Sequence, residues 1–574
     1  MNLSKILILA AAMTCAVTSW SQDLHKDITV EQAITPTRRD AARMSVLPGI
    51  SLPAVPRATL SYSSRVVPTN VPDAITTLAP VAWDENGGNV PMRGYFVAGI
   101  GGPLAAGDVS AGYRILDTDR TRLSLWGQYD GEVYRRRGPT WHDHSATVQA
   151  DLHQKAGTVS DIDAHVAYTY GFHDMPGMSS RRFSQSASRI DGDVAFSSST
   201  QGLSYTAGVR GGYFSYGSQH TTAGDVPDYL PAAKQAQAGL DLTGRLEYSP
   251  VSYWGLDINA DVVRTGTHLT TDALWSSLDN NAVTVDPSVT SALVRLTPYY
   301  EYSADNVSLR LGAEIDFAKN NGKAIHAAPE VTLSWHGMQI VGVEVKAHGG
   351  SRLNTLASLY DITPYTNGCI AYKASHVPQA YDARIALGPA FGASLELFGG
   401  WAKANDWLMP VMGHVGPASG MWEALDVKGY HYGVRLAYDN GKTFGLSASY
   451  EGAPSGQKNA YYEWRDRARH VVKADLKVRP TSTLTLTASY ELRAGRCEYT
   501  YSDISLDLLG MTYHPAERIS LGTVSDLTVG AAYACSRRLT VFARGENLLS
   551  RQNMYIGGRP MPGAHGLAGI SIKF

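Results

Sequence analysis

Residues 483–493, Thr-Leu-Thr-Leu-Thr-Ala-Ser-Tyr-Glu-Leu-Arg, decide how the chain meets its surroundings. Leu484, Leu486, Ala488, Tyr490 and Leu492 share one parity, and Thr485, Thr487, Ser489, Glu491 and Arg493 the other. A period of two with one apolar face is a β-strand with oil on one side and something wet on the other. The pattern recurs. Val307, Leu309, Leu311, Ala313, Ile315 and Phe317 alternate with Ser308, Arg310, Gly312, Glu314 and Asp316. Tyr430, Tyr432, Val434, Leu436 and Tyr438 alternate with His431, Gly433, Arg435 and Ala437. Soluble sandwich strands run about five or six residues, whereas these run about ten to sixteen, the length a tilted strand needs to cross a bilayer. The expected fold is all-β: a transmembrane antiparallel β-barrel. Leu309, Leu311, Val434, Leu436, Leu484 and Leu486 are expected to face lipid. Arg310, Glu314, Asp316, Arg435, Glu491 and Arg493 are the expected lumen-facing set.

Composition agrees. A formal net charge of -2 lacks the concentrated basic face that a nucleic-acid partner wants. Mean hydropathy is -0.17, too polar for a bundle of membrane helices. Tyrosine leads the aromatics, 32 against 11 Phe and 11 Trp, as rings at two membrane–water interfaces would require. Residues 1–21 read as an export signal: Lys5, an apolar run over residues 6–17, and Ser19-Trp20-Ser21 before Gln22. A lipoprotein site at Cys15 is disfavoured by the Met13-Thr14 that precedes it. Export without a membrane helix places the mature chain in a bacterial outer membrane, among its lipid and lipopolysaccharide.

Turn lengths give the topology. Tight-turn sequences occur at residues 249–252, 303–306, 336–339, 388–392 and 439–442. Longer segments lie between them, near residues 266–286, 351–377, 405–426 and 495–521. Short periplasmic turns and long extracellular loops orient such a barrel, and the alternation carried back to Arg93 gives about 22 strands. Cys369 and Cys497 are expected in outer loops and Cys535 in an inner turn. A Cys369–Cys497 disulfide and three unpaired thiols are both open readings.

The C-terminus carries a resemblance. Arg544-Gly545-Glu546-Asn547-Leu548-Leu549, Tyr555, Pro560-Met561-Pro562-Gly563 and the last six residues from Gly569 resemble the closing segment of TonB-dependent outer-membrane receptors. Ala564 stands where that family has an arginine. The resemblance implies a 22-strand barrel acting in transport or ligand binding at the cell surface. Gly569, Ile572 and Phe574 also resemble the signal read by the barrel-assembly machinery. The family carries a plug domain before the barrel, which is not recognisable here. Residues 22–91 hold Pro36, Pro48, Pro53, Pro56, Pro68, Pro72 and Pro80 and read as extended chain before a barrel over residues 92–574. Within them Asp27-Ile28-Thr29-Val30 resembles a TonB box, a strand captured by β-addition; a solvated tail is the plain alternative. The wide lumen then needs filling by this segment, by inward-folded loops or by a partner such as a surface lipoprotein. The last case defines a rival reading, a structural or assembly component that transports nothing.

Chemistry-bearing motifs are sparse. His142-Asp143-His144 has metal-ligand types but no third ligand in view, so no metal is expected. Arg135-Arg136-Arg137, expected in an outer loop, reads first as a solvated basic loop, with contact to lipopolysaccharide phosphates or an anionic ligand as the alternative. Gly99-Ile100-Gly101-Gly102 has no following helix to hold a nucleotide. No nucleophile, base and orienting group are brought together, so neither enzymatic activity nor a cofactor is expected.

Facing is testable directly. Leu486→Arg should cost roughly 2–4 kcal/mol near mid-membrane and Thr485→Arg little. Urea unfolding in lipid vesicles measures both, and equal tolerance would contradict the register.

Overall fold

A computed structural model describes residues 92–574 except 137–139, 177–181, 218, 221–228, 231, 268, 271–283, 286–287, 320–323, 338–339, 365, 367–373, 414–415, 454–467, 502–503, 508–509, 514–515, 552 and 554–559. The export signal, the proline-rich segment with residues 27–30, Arg137 and Cys369 lie outside the described residues.

Alternating sequences become long strands. The first seven are β1 (Gly94–Gly101), β2 (Ala105–Asp117), β3 (Thr121–Arg135), β4 (Thr140–Lys155), β5 (Ser160–Pro176), β6 (Arg182–Thr200) and β7 (Leu203–Tyr216). Next come β8 (Ala233–Ser249), β9 (Ser252–Thr267), β10 (Ser288–Ala304), β11 (Val307–Lys319), β12 (Ile325–Gly337), β13 (Val341–Arg352) and β14 (Ser375–Ala390). The remainder are β15 (Ala393–Gly413), β16 (Gly416–Asp439), β17 (Phe444–Gly452), β18 (His470–Val478), β19 (Leu484–Ala494), β20 (Val524–Ala534), β21 (Leu539–Glu546) and β22 (His565–Lys573). Each pairs antiparallel with the next, and β1 also pairs with β22, Ala98 opposite Ile570. The 22 strands therefore close into a barrel with no free edge in the wall.

One end of the barrel carries tight turns. Gln201-Gly202, Pro250-Val251, Asp305-Asn306 and Phe391-Gly392 each join neighbouring strands, with positive φ at Gly202, Asp305, Phe391 and Gly392. Such φ values match the turn twist to the strand twist. The opposite end carries the longer connections. Two of these differ from expectation. The described residues of 405–426 are not a loop: β15 and β16 stay paired as far as Gly413 opposite Gly416, with Leu408 opposite Ala424. Asn405-Asp406, expected to open a longer loop, sits at a register shift with Asp406 at φ 49 and its N–H donated to the Asp426 carboxylate at 3.2 Å. A bulge absorbs turn residues without ending a strand. Cys497, expected in a loop, is buried at the start of a paired strand, Cys497–Tyr501.

The seam is built by the last residues. The Phe574 carbonyl accepts the N–H of Arg93 at 2.7 Å and of Gly94 at 2.8 Å, and its own N–H donates to Gly94 at 2.9 Å. Its ring stacks on Tyr113 with centroids 6.1 Å apart. At Gly569 an added Cβ would lie 2.1 Å from the Ala98 carbonyl oxygen, so the close approach of β22 to β1 needs glycine there.

Deleting Phe574 removes three backbone bonds from the seam. Less protein should then reach the folded, membrane-integrated form, read by fractionation and heat-modifiable gel migration. Normal levels would show that assembly does not rely on this residue.

Candidate functional site

The two faces of the wall differ in chemistry. Leu311 and Leu436 are both 44 % exposed, as apolar side chains are when lipid is their solvent. Their chain neighbours Arg310 and Arg435 lie on the other parity, among ion pairs. Arg310 reaches Asp257 at 2.8 Å and Glu330 at 3.8 Å while lying 3.5 Å over the Tyr299 ring. Arg210 pairs with Asp241 and with Asp261 at 2.6 Å. Across β13–β16 the charges form a chain: Lys346 to Glu344 at 3.1 Å, Glu344 to Arg384 at 3.6 Å, Arg384 to Glu396 at 3.7 Å, and Glu396 to Arg435 at 2.5 Å. Glu491 holds Arg493 at 2.9 Å and Lys473 at 3.5 Å. Wetted pairs are worth about 0–1 kcal/mol each, so their main effect is to keep this face polar and hydrated.

Onto this face folds the connection between β13 and β14. Its root is buried. Arg295 lies 2.7 Å from Glu314 and 3.5 Å from Asp316 and donates to the Ser351 carbonyl. Asp316 accepts the Ser351 N–H at 2.6 Å, and the Ser351 hydroxyl meets His376 at 3.1 Å. A short helix follows, α1 (Leu356–Tyr360), opened by a capping box between Thr355 and Ser358. A helix of five residues is too short to hold itself, so its contacts hold it. Leu356, Ala357 and Tyr360 pack with Ala187, Phe214, Tyr216 and Ala233 of β6–β8. The Leu356 N–H donates to Gln235, Tyr360 to Gln185 at 3.2 Å, and Tyr216 to the Thr366 carbonyl at 2.8 Å. On its other side Leu359 packs with Leu408 and Trp422 of β15 and β16. The nearer of those strands, β15, is seven positions round the ring from β8, about 34 Å along the wall at ~4.8 Å per strand. The helix is only about 7.5 Å long, yet its two sides pack against residues from both sectors. Leu356 and Leu359 are each 1 % exposed, and such burial is worth roughly 1.5–3 kcal/mol per side chain. Beyond the helix, Asp361 pairs with Arg189 at 3.2 Å. Desolvation raises the Asp361 carboxyl above the ordinary aspartate range, against the pull of the Arg189 charge.

The C-terminal motif serves the architecture. Asn547, at φ 45, donates to the Pro562 carbonyl at 2.7 Å and the Arg551 carbonyl at 3.3 Å. Asn553 bonds both backbone groups of Ser525, and Tyr134 donates to the Pro560 carbonyl at 2.9 Å. His565 bridges Glu132 at 3.1 Å and Glu546 at 3.2 Å, and Arg544 pairs with Glu546. Arg136 donates to the Arg551 carbonyl at 3.0 Å, which commits one arginine of the basic run to this loop. His142 bonds Asp174 at 2.7 Å and His144 bonds Tyr129 at 3.0 Å, so the two histidines turn to separate partners.

Solved structures share the fold, among them the following three. A mutant of the ferric enterobactin receptor PfeA from Pseudomonas aeruginosa superposes with a TM-score of 0.61 at 12 % identity, over 85 % of this chain and 81 % of that one. The siderophore receptor PirA from Acinetobacter baumannii gives 0.60 at 9 %, over 84 % and 80 %. The copper transporter OprC gives 0.60 at 12 %, over 84 % and 80 %. The fold is that of an outer-membrane receptor barrel. No protein-family description matches the chain, and no curated protein is similar enough in sequence to count as a relative. The receptor type of barrel that residues 544–574 resemble is thus the one found, and the chain is an integral outer-membrane protein. α1 was not anticipated from sequence. Its available signal was Thr355 and Ser358 at capping-box positions around Leu356, Leu359 and Tyr360 at helical spacing.

Asn547→Ala leaves the Pro562 carbonyl, deep in the receptor-type barrel's closing loop, without its donor. A loss of roughly 1–3 kcal/mol is expected, seen as a lower unfolding temperature in detergent. An unchanged temperature would remove Asn547 from the account.

Proposed function

We propose that this receptor-type barrel binds a solute at its outer mouth and passes it through a polar lumen. The observation that carries the reading is the ion-paired face of a closed, wide ring, which suits water and a polar solute. On this reading Arg310, Glu314, Asp316, Arg435, Glu491 and Arg493 face the lumen, and Leu309, Leu311, Val434 and Leu486 face lipid. The bound solutes named for PfeA and OprC, ferric enterobactin and copper, support solute traffic as the class without fixing the solute here. Residues 27–30 are proposed as the strand that an energy-transducing partner captures by β-addition. Gly569, Ile572 and Phe574 are proposed as the assembly signal.

Gentle purification followed by native mass spectrometry tests this. The expected result is a barrel carrying a small solute, with TonB captured from the membrane and lost on Ile28→Pro. A stoichiometric protein partner with no small solute would contradict the reading in favour of an assembly component.

A further inference from the structure

We propose that residues 353–364 are a fixed size filter, a strap that narrows the outer mouth and so determines which solutes reach the lumen. The inference rests on the transport reading and deepens it.

Three observations carry it. First, the strap is anchored at both ends rather than hinged. Its root is locked by Arg295, Asp316, Ser351 and His376, all but Arg295 buried. Asn354 adds a bond to Ser375 at 2.9 Å, and Ser375 in turn donates to the Asp406 carbonyl at 2.9 Å. Its far side is locked by Leu356, Leu359 and Tyr360, with Tyr360 stacked 5.5 Å from Tyr216 and tilted against Phe214 at 5.1 Å. Secondly, the strap links β6–β8 to the β15–β16 extension. An element tied to two distant sectors of a closed ring cannot swing without detaching from one of them. Thirdly, the exposed edge is polar. Asp361 and Arg189 keep 45 % and 41 % of their side-chain surface in solvent, so what passes the strap meets a charged rim. Bulky solutes are excluded by the backbone of the strap, and small polar ones pass beside it.

Access to a thiol beneath the strap tests the proposal without requiring transport. Asp193 lies on β6 four residues beyond Arg189, toward the tight-turn end and about 13 Å deeper, with its side chain 52 % exposed. Asp193→Cys, in a background with Cys369→Ser, Cys497→Ser and Cys535→Ser, is treated on intact cells with a small maleimide or one bearing a long polyethylene glycol chain. The small reagent should label it and the long one should not. Replacing residues 354–361 with a glycine–serine run of equal length should abolish that discrimination. Arg189→Ala with Tyr360→Ala, which leaves the root intact, should weaken it if the larger replacement fails to fold. The proposal is overturned if the long reagent labels the parent as readily as the small one, or if the loosened variants still exclude it. Failure of the transport reading alone would show in the purified complex and leave this access pattern intact.

Discussion

In hydrocarbon a backbone N–H or C=O without a partner costs several kcal/mol, and every other feature of this chain answers to that constraint. An open sheet would leave two strand edges in lipid. The pairing of β1 with β22, from Tyr95 opposite Lys573 to Gly101 opposite Leu567, removes both. The C-terminal residues carry that duty: Phe574 completes the seam, Gly569 permits its close approach, and Asn547 folds the preceding loop back on the wall. A resemblance to transport receptors thus rests on residues whose work here is closure.

Closure creates the second problem, a wide interior. Side chains from the wall alone do not fill a ring of this size. On the proposed facing, the ion-paired side lines it with matched charges, which holds water without drawing in a large excess of either sign. The connection between β13 and β14 then reduces its opening at one end, using apolar contacts of the kind found in a soluble core. The wall and the strap therefore follow different rules: alternation for the first, buried clusters and a capped helix for the second.

That difference explains what the sequence disclosed. Alternation and tight turns are local chemistry, so the strands around residues 307–317, 430–438 and 484–493 and the turns at 249–252 and 303–306 were legible. The strap depends on partners far away in the chain, Leu356 on Gln235 and Tyr360 on Gln185, separated by 121 and 175 residues. No local pattern announces such contacts. The expected loop over residues 405–426 misled for a related reason: a bulge at Asp406 interrupts the alternation, and the partner strand decides whether pairing continues beyond it. Arg136 similarly reads as a free basic loop until Arg551 is beside it.

The most direct test of the central claim is a disulfide across the seam. Ala98 and Ile570 face each other in the β1–β22 register. With cysteines at both positions, oxidation in native outer membranes should yield an intramolecular bond in the folded monomer. Cross-links formed only between chains, or none in protein shown to be folded, would contradict a closed 22-strand wall.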